Sequence, residues 1–304
     1  MYLEYYARDL TSFAQLHPRD FRSQVTPTPT QRTTLIVAGC YVIAIGILWH
    51  IPYLNWIIYP FKLLTVGFHE TSHAIAGLLT CARIESLELD PDEGGATRMS
   101  GGIPVITLPA GYLGSSFIGA CLIACGFDIN ASKVACIVLA VFFLFTLWWA
   151  RRNMLTWVLI LGMAALIIAF WFIEGGIALR YLVLFIGVMS CLYVLWDVID
   201  DTIARKVNSS DASAFAHICG CCPSQCWGLL WLIIAFCFFA AGVIVGLVAF
   251  KKSEKEQEEE SLHFIPIPGA PHPNAAVAGL AGVPSLALCL VSFATSVIWA
   301  IFGL

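Results

Sequence analysis

Residues 61–79 read FKLLTVGFHETSHAIAGLL, an apolar stretch that encloses a His-Glu-x-x-His pattern at His69, Glu70 and His73. On a helix, positions i and i+4 share a face, so both imidazoles are placed to bind one metal ion. Glu70 lies beside them and has the side chain of a general base. The flanking residues are apolar enough to enter a bilayer, whereas a soluble enzyme places this motif in a water-filled cleft. The stretch therefore predicts a helix that carries out metal-dependent hydrolysis within a membrane.

The composition supports a membrane location. The chain has 304 residues, of which 59% are hydrophobic and 12% charged, and its mean hydropathy is +0.83. Soluble domains carry roughly twice that charged fraction. Apolar runs of about 18 residues or more recur along the chain and predict a polytopic protein embedded in the lipid bilayer. The net charge of -4 is modest and gives no reason to expect a nucleic-acid partner.

We expect an all-α polytopic membrane protein with about eight transmembrane helices. The predicted spans lie near 34–50, 61–79, 103–125, 132–150, 154–173, 177–197, 226–250 and 276–303. The loop after the motif helix has alternating apolar and charged residues at 84–90, a turn at 92–95 and a return segment at 96–107. This pattern predicts a small β-hairpin. The distribution of lysine and arginine between the loops favours a cytoplasmic N-terminus.

Composition also divides the chain into four predicted parts. They are a polar N-terminal tail (1–33), a membrane-embedded, metallopeptidase-like domain (34–250), a charged and Pro-rich linker (251–275) and a C-terminal transmembrane helix (276–304). The linker begins with a run of lysines and glutamates, which we expect to be solvated.

Two histidines do not complete a catalytic zinc site, which has three protein ligands and one open position for water. The best local candidates are Asp197, Asp200 and Asp201, because their spacing places these carboxylates on one face of a helix. This helix and the motif helix run in the same direction across the membrane, so the carboxylates lie towards the same side as His73. Asp197 is the preferred third ligand, and the alternatives are Asp201, Asp200 and Asp211. We expect Asp211 instead to cap the helix that follows it.

These motifs together resemble the site-2-protease-type intramembrane zinc metallopeptidases, most closely their B-type-like branch of fungi and bacteria. The resemblance is carried by residues 68–74 (FHETSHA), 87–98 (LELDPDEGGATR), 109–115 (PAGYLGS) and the aspartates between 197 and 211. It implies that His69 and His73 bind Zn2+ and that Glu70 is the catalytic base. It also implies an Asp ligand in a Leu-Asp-Gly setting on a later helix, whereas Asp197 stands in a Trp-Asp-Val setting.

The leading interpretation is an intramembrane zinc metalloprotease that hydrolyses peptide bonds of membrane-embedded protein substrates. Zinc would activate a water molecule, and Glu70 would take its proton and pass it to the leaving amine. The strand at 84–90 would hold the extended substrate by strand addition. Two alternatives stay open: a catalytically inactive relative that binds membrane proteins, and a transporter with a buried metal or proton site.

A second cluster of metal-binding residue types lies before the span near 226–250. Cys219, Cys221, Cys222 and Cys226 follow His217 closely, although their spacing is not that of a zinc ribbon. A second metal site, S-acylation of juxtamembrane thiols and inert thiols are the three interpretations that the pattern allows.

Overall fold

The computed structural model describes residues 23–51, 53–90, 94–203 and 210–264, and for 174–175, 197–203 and 262–264 it describes the backbone alone. The elements follow in the order α1 (Pro29–His50), α2 (Asn55–Leu79), β1 (Arg83–Leu89), β2 (Gly95–Ser100), α3 (Pro104–Cys125), α4 (Ile129–Trp149), α5 (Met154–Phe172), α6 (Ile177–Ile203), α7 (Asp211–Cys219), α8 (Ser224–Ala249) and α9 (Glu254–Phe264). A single 3-10 turn, Ile173–Gly176, joins α5 to α6.

Among the described residues, six helices are long and apolar enough to cross a membrane: α1, α3, α4, α5, the 177–196 part of α6, and α8. They correspond to six of the eight predicted spans, so the protein is a helical multi-pass membrane protein. The motif helix α2 has 25 residues but does not reach the same apolarity, because ionisable side chains interrupt it. The eighth predicted span, 276–303, lies outside the described residues together with residues 1–22. The count of eight spans and the cytoplasmic N-terminus therefore stay predictions.

Helix α2 lies inside the helical assembly. Sixteen of its residues are buried, among them Lys62, His69, Glu70 and His73. It contacts α1, α3, α5, α6 and both strands, and its apolar residues share one core with residues of α4 and α5. Ionisable side chains are costly in contact with lipid. The surrounding apolar helices keep these four side chains away from it.

The predicted β-hairpin is present and packs against α2. Strands β1 and β2 are antiparallel, with Leu87 opposite Thr97 and Leu89 opposite Gly95. Leu87 and Leu89 are buried in the core that contains the apolar residues of α2. The return strand is shorter than the predicted 96–107, because two glycines with positive φ follow Ser100 and α3 begins soon afterwards.

Helix α9 differs from the solvated linker that composition predicts for this segment. Gln257 and Ser261 are buried, and each binds a buried cation. Nη1 of Arg180 donates to Oε1 of Gln257 at 2.9 Å, and Nε2 of Gln257 donates to the backbone oxygen of Phe127 at 3.1 Å. Nζ of Lys133 donates to Oγ of Ser261 at 2.8 Å. A buried cation needs hydrogen-bond acceptors, and α9 supplies them at the starts of α4 and α6.

Replacement of Gln257 tests whether α9 stabilises the fold. We expect Gln257→Ala to lower the free energy of unfolding by about 2–4 kcal/mol, since it removes two buried hydrogen bonds, one of them from a guanidinium. Glu259→Ala, an exposed position on the same helix, is the control, with an expected change within about 0.5 kcal/mol. Denaturant-induced unfolding in detergent micelles measures both. Equal stability of the two variants would contradict the role assigned to α9.

Candidate metal centre

The two histidines of the motif converge on one face of α2. Their Nε2 atoms are 2.9 Å apart, and their rings meet edge to face with centroids 4.6 Å apart. His69 and His73 have only 8% and 7% of their surface exposed. The i, i+4 spacing therefore gives the shared face that the sequence predicts.

A carboxylate from α7 completes the cluster. Oδ2 of Asp211 lies 2.9 Å from Nε2 of His69 and 3.0 Å from Nε2 of His73. The three atoms form a nearly equilateral triangle. Within the part of the chain that the structure describes, this is the one group of three His, Cys, Asp or Glu side chains with ligand atoms within 4.8 Å of one another.

Asp211 is available for this contact because it does not cap α7. The cap is Ser210, whose Oγ accepts a hydrogen bond from the backbone N–H of Ser213 at 3.3 Å. Our expectation that Asp211 acts as the helix cap is therefore wrong. As the first residue of α7, Asp211 has its carboxylate free to turn towards α2.

Aromatic packing holds α7 in place. Phe215 of α7 contacts Trp231 of α8, with ring centroids 5.5 Å apart, and Trp231 contacts Tyr112 of α3 at 5.2 Å. The ring of Tyr112 in turn meets that of His69 edge to face at 4.7 Å. These contacts fix the start of α7 relative to the motif helix.

The electrostatic environment keeps the Asp211 carboxyl ionised. Burial raises its pKa, but hydrogen bonding with His69 and His73 and the charges on their rings lower the pKa by more. The net result is a pKa well below the ordinary value for Asp. The anionic form is the one that binds metal ions.

The hydrogen bond on the far side of His73 determines what its ring presents to the cluster. Nδ1 of His73 lies 2.7 Å from the backbone oxygen of Thr107 in α3. A carbonyl oxygen only accepts, so Nδ1 carries the proton and the neutral ring has a lone pair at Nε2. That lone pair faces Asp211, another acceptor. The arrangement requires positive charge at the triangle, as protons on the rings or as a metal ion, and an Nδ1–H bond to a carbonyl is typical of histidines that ligate metals.

Gly111 leaves the space beside the triangle open. A Cβ atom at this position of α3 would overlap Nε2 of both His69 and His73. Any larger residue would therefore displace the ligand atoms. Gly111 belongs to the segment PAGYLGS that carries the family resemblance, but no local pattern in the sequence identifies this glycine as the one beside the histidines.

The side chain of Glu70 lies between α2 and the hairpin, and 7% of the surface of this residue is exposed. Oγ1 of Thr97 donates to its carboxylate Oε2 at 2.7 Å and also contacts its backbone oxygen at 2.9 Å. A Cβ atom at Gly95 would come within 2.6–2.9 Å of the Glu70 side chain. Sequence reasoning missed both contacts, although the hairpin pattern places these positions on the strand that returns after the motif.

The remaining candidate ligands either lie away from the triangle or have side chains that the structure does not describe. Asp197, Asp200 and Asp201 belong to the end of α6, where the structure describes the backbone alone, so their role stays a prediction. The thiols of Cys221, Cys222 and Cys226 are exposed and that of Cys219 is half-buried. Within the described ranges, these cysteines do not bring three ligand atoms within 4.8 Å of one another.

Comparison with known protein families gives one match. A family model described as Peptidase M50B-like matches residues 38–242, which is about two thirds of the chain. The matched region includes the motif helix, the hairpin and Asp211. No curated protein and no solved structure gave a significant match. The assignment to the fungal and bacterial branch therefore stays a prediction. The extent of the match, together with the His-Glu-x-x-His helix, shows that the chain belongs to the Peptidase M50B-like family, a family of the site-2-protease type.

Proposed function

We propose that this protein is an intramembrane zinc metalloprotease in which His69, His73 and Asp211 bind Zn2+ and Glu70 is the general base. The observation that carries the proposal is the convergence of three ligand atoms on one point, beside a buried glutamate on the same helix. Substrates would be membrane-embedded proteins.

The ligand set fits a catalytic metal ion. Two imidazole nitrogens and one carboxylate oxygen leave the fourth position of a tetrahedral zinc ion open for water. The same set of ligands binds Fe(II) in oxygenases. Glu70 favours hydrolytic zinc, because it follows the first histidine directly and provides the base that activation of water requires. Gly111 fits as well, since it keeps side-chain atoms away from the ligand triangle.

The residues of the chain then have distinct roles in peptide hydrolysis. A bound zinc ion supplies Lewis-acid polarisation of water and of the substrate carbonyl. Glu70 accepts a proton from the attacking water and later delivers it to the departing amide nitrogen. Thr107 fixes the tautomer of His73 through its backbone oxygen. Because carbonyl groups within a helix are hydrogen-bonded, the substrate must unwind locally before attack, and the hairpin beside Glu70 offers extended backbone for strand addition.

Metal content tests the ligand assignment. We expect the purified protein to hold about one zinc ion per chain, and His73→Ala and Asp211→Asn to lose it, because each removes one of only three ligands. His217→Ala is the matched control, since this exposed histidine lies on α7 with Asp211 but outside the triangle. Elemental analysis after exhaustive dialysis measures the wild type, these three variants and Asp197→Asn. Zinc loss in Asp197→Asn but not in Asp211→Asn would move the third ligand to α6.

Replacement of Glu70 tests the reaction. We expect Glu70→Gln to lower the cleavage rate by about 10²- to 10⁴-fold with zinc retained, because the amide cannot act as a base. The assay uses a fluorescence-quenched peptide with one apolar membrane-spanning segment, reconstituted in detergent micelles. Glu85→Gln, an exposed position on β1, is the control. Equal cleavage by the wild type and Glu70→Gln would contradict the role of Glu70 as the base. A zinc-bound wild type that cleaves nothing would contradict the protease and leave a binding factor or transporter.

Gly111→Ala tests the shape of the centre without removing a ligand. The added methyl group would occupy the position of the two Nε2 atoms, so we expect zinc affinity to fall at least about 10-fold. Gly162→Ala on α5, where a Cβ atom meets nothing within 4 Å, is the control and should retain zinc. Competition with a fluorescent zinc chelator measures the affinities. Wild-type affinity in Gly111→Ala would show that the ligands lie further from α3.

A further inference from the structure

Strand β2 contacts the proposed general base at two positions on one face. Thr97 and Gly95 are two residues apart on the strand, so both positions belong to the face of the hairpin that lies on α2. Thr97 provides a hydroxyl group to Glu70, and Gly95 provides space for it. Neither residue belongs to the ligand triangle or to the His-Glu-x-x-His motif.

The hydroxyl of Thr97 limits the conformations of the glutamate. Oγ1 of Thr97 lies 2.7 Å from Oε2 of Glu70 and 2.9 Å from the backbone oxygen of the same residue, and it donates its one proton to these two acceptors. A hydrogen bond to a carboxylate is charge-assisted and stronger than one between neutral groups. Because one hydroxyl contacts both the backbone and the carboxylate of Glu70, it opposes rotation about the side-chain bonds that join them.

The second carboxylate oxygen lies beneath Gly95. A Cβ atom at Gly95 would stand 2.7 Å from Oε1 and 2.6 Å from Cγ of Glu70, closer than real Cβ contacts come. Gly94, its neighbour, meets only Cβ of Asp90, at an ordinary 3.6 Å. Neither glycine has a positive φ, so the difference between them is one of space and not of backbone conformation.

From these contacts we infer that Thr97 is a positioning residue for Glu70. It holds Oε2 and thereby leaves Oε1 as the oxygen that takes a proton, while the absence of a side chain at Gly95 permits that placement. The inference rests on the proposed function, in which Glu70 is the base. Strand β2 thus orients the base, in addition to any contact that the hairpin makes with substrate.

Kinetics of matched variants test this role. Thr97→Val keeps the shape and removes the hydroxyl, and we expect it to lower kcat about 10- to 100-fold with KM changed less than about threefold. Thr97→Ser restores the hydroxyl and should recover most of kcat. Thr146→Val is the control, because it removes a buried hydroxyl that contacts Thr71 of α2 at 3.1 Å, away from Glu70. All three should retain zinc.

The glycine pair provides a second test. We expect Gly95→Ala to lower kcat by at least about tenfold, since the base is displaced, and Gly94→Ala to change it by less than about threefold. The inference is overturned if Thr97→Val behaves as Thr146→Val does, if Thr97→Ser is as impaired as Thr97→Val, or if the two glycine variants are equally active.

A double-mutant cycle separates this inference from the proposed function. The stability change caused by Thr97→Val is measured in the wild-type and Glu70→Ala backgrounds by unfolding in micelles, without any substrate. We expect the two changes to differ, because neighbouring groups are coupled. Additive changes in stability would show that Thr97 and Glu70 do not interact, and would overturn the inference. A coupled pair in a zinc-bound protein that cleaves nothing would instead refute the proposed function and, with it, the catalytic consequence of Thr97.

Discussion

Two imidazole nitrogens and one carboxylate oxygen meet within 3 Å of one another in an interior of largely apolar residues, and this contact constrains the rest of the structure. Nε2 of His69, Nε2 of His73 and Oδ2 of Asp211 cannot share that space without protons or a metal ion between them. Burial of such groups is costly unless they are compensated. The position of α2 inside the assembly follows from this cost, since no lipid-facing position would leave the polar groups compensated. The apolar helices around α2 therefore separate its polar side chains from lipid.

Three elements around α2 each add one polar contact to the centre. α3 provides the backbone oxygen of Thr107, α7 provides the carboxylate of Asp211, and β2 provides the hydroxyl of Thr97. Gly95 and Gly111 lie where α2 side chains need the space. The centre is thus built from four elements: α2, β2 and α3, which follow closely along the chain, and α7, which is distant in sequence. Local unfolding of any one of them would alter the positions of the motif side chains.

The features that follow from local spacing could be predicted from the sequence. The shared face of His69 and His73 comes from the helical period, and the hairpin comes from alternation followed by glycines. The contact of Asp211 with residues 138 and 142 positions away depends on how α7 packs against Trp231 and Tyr112, and no local pattern contains that information. The aspartates at the end of α6 have the better local spacing, which is why the sequence favoured them.

In helix α9, composition predicts the environment of the charged residues but not that of Gln257 and Ser261. Its charged residues indicate solvent, and most of them are exposed, yet Gln257 is buried because Arg180 is buried opposite it. Burial of a guanidinium on α6 makes a polar partner obligatory, and the position of that partner is known only once the helices are assembled. Long-range pairing of polar groups therefore determines the burial of Gln257, as it determines the contact of Asp211 with the two histidines.

The proposed hydrolysis within a membrane would also require a supply of water, and one face of the hairpin suits an aqueous boundary. Extended backbone is tolerated at membrane depth only where it is buried in protein or lines a water-filled cavity. The outward face of this hairpin is charged, with Nη2 of Arg98 and Oε2 of Glu88 3.5 Å apart and their side chains 67% and 47% exposed. Exposed charges of this kind belong at an aqueous boundary and not in lipid. The inward face of the same strands contacts Glu70. The two strands therefore have one charged, exposed face and one face that contacts the proposed base.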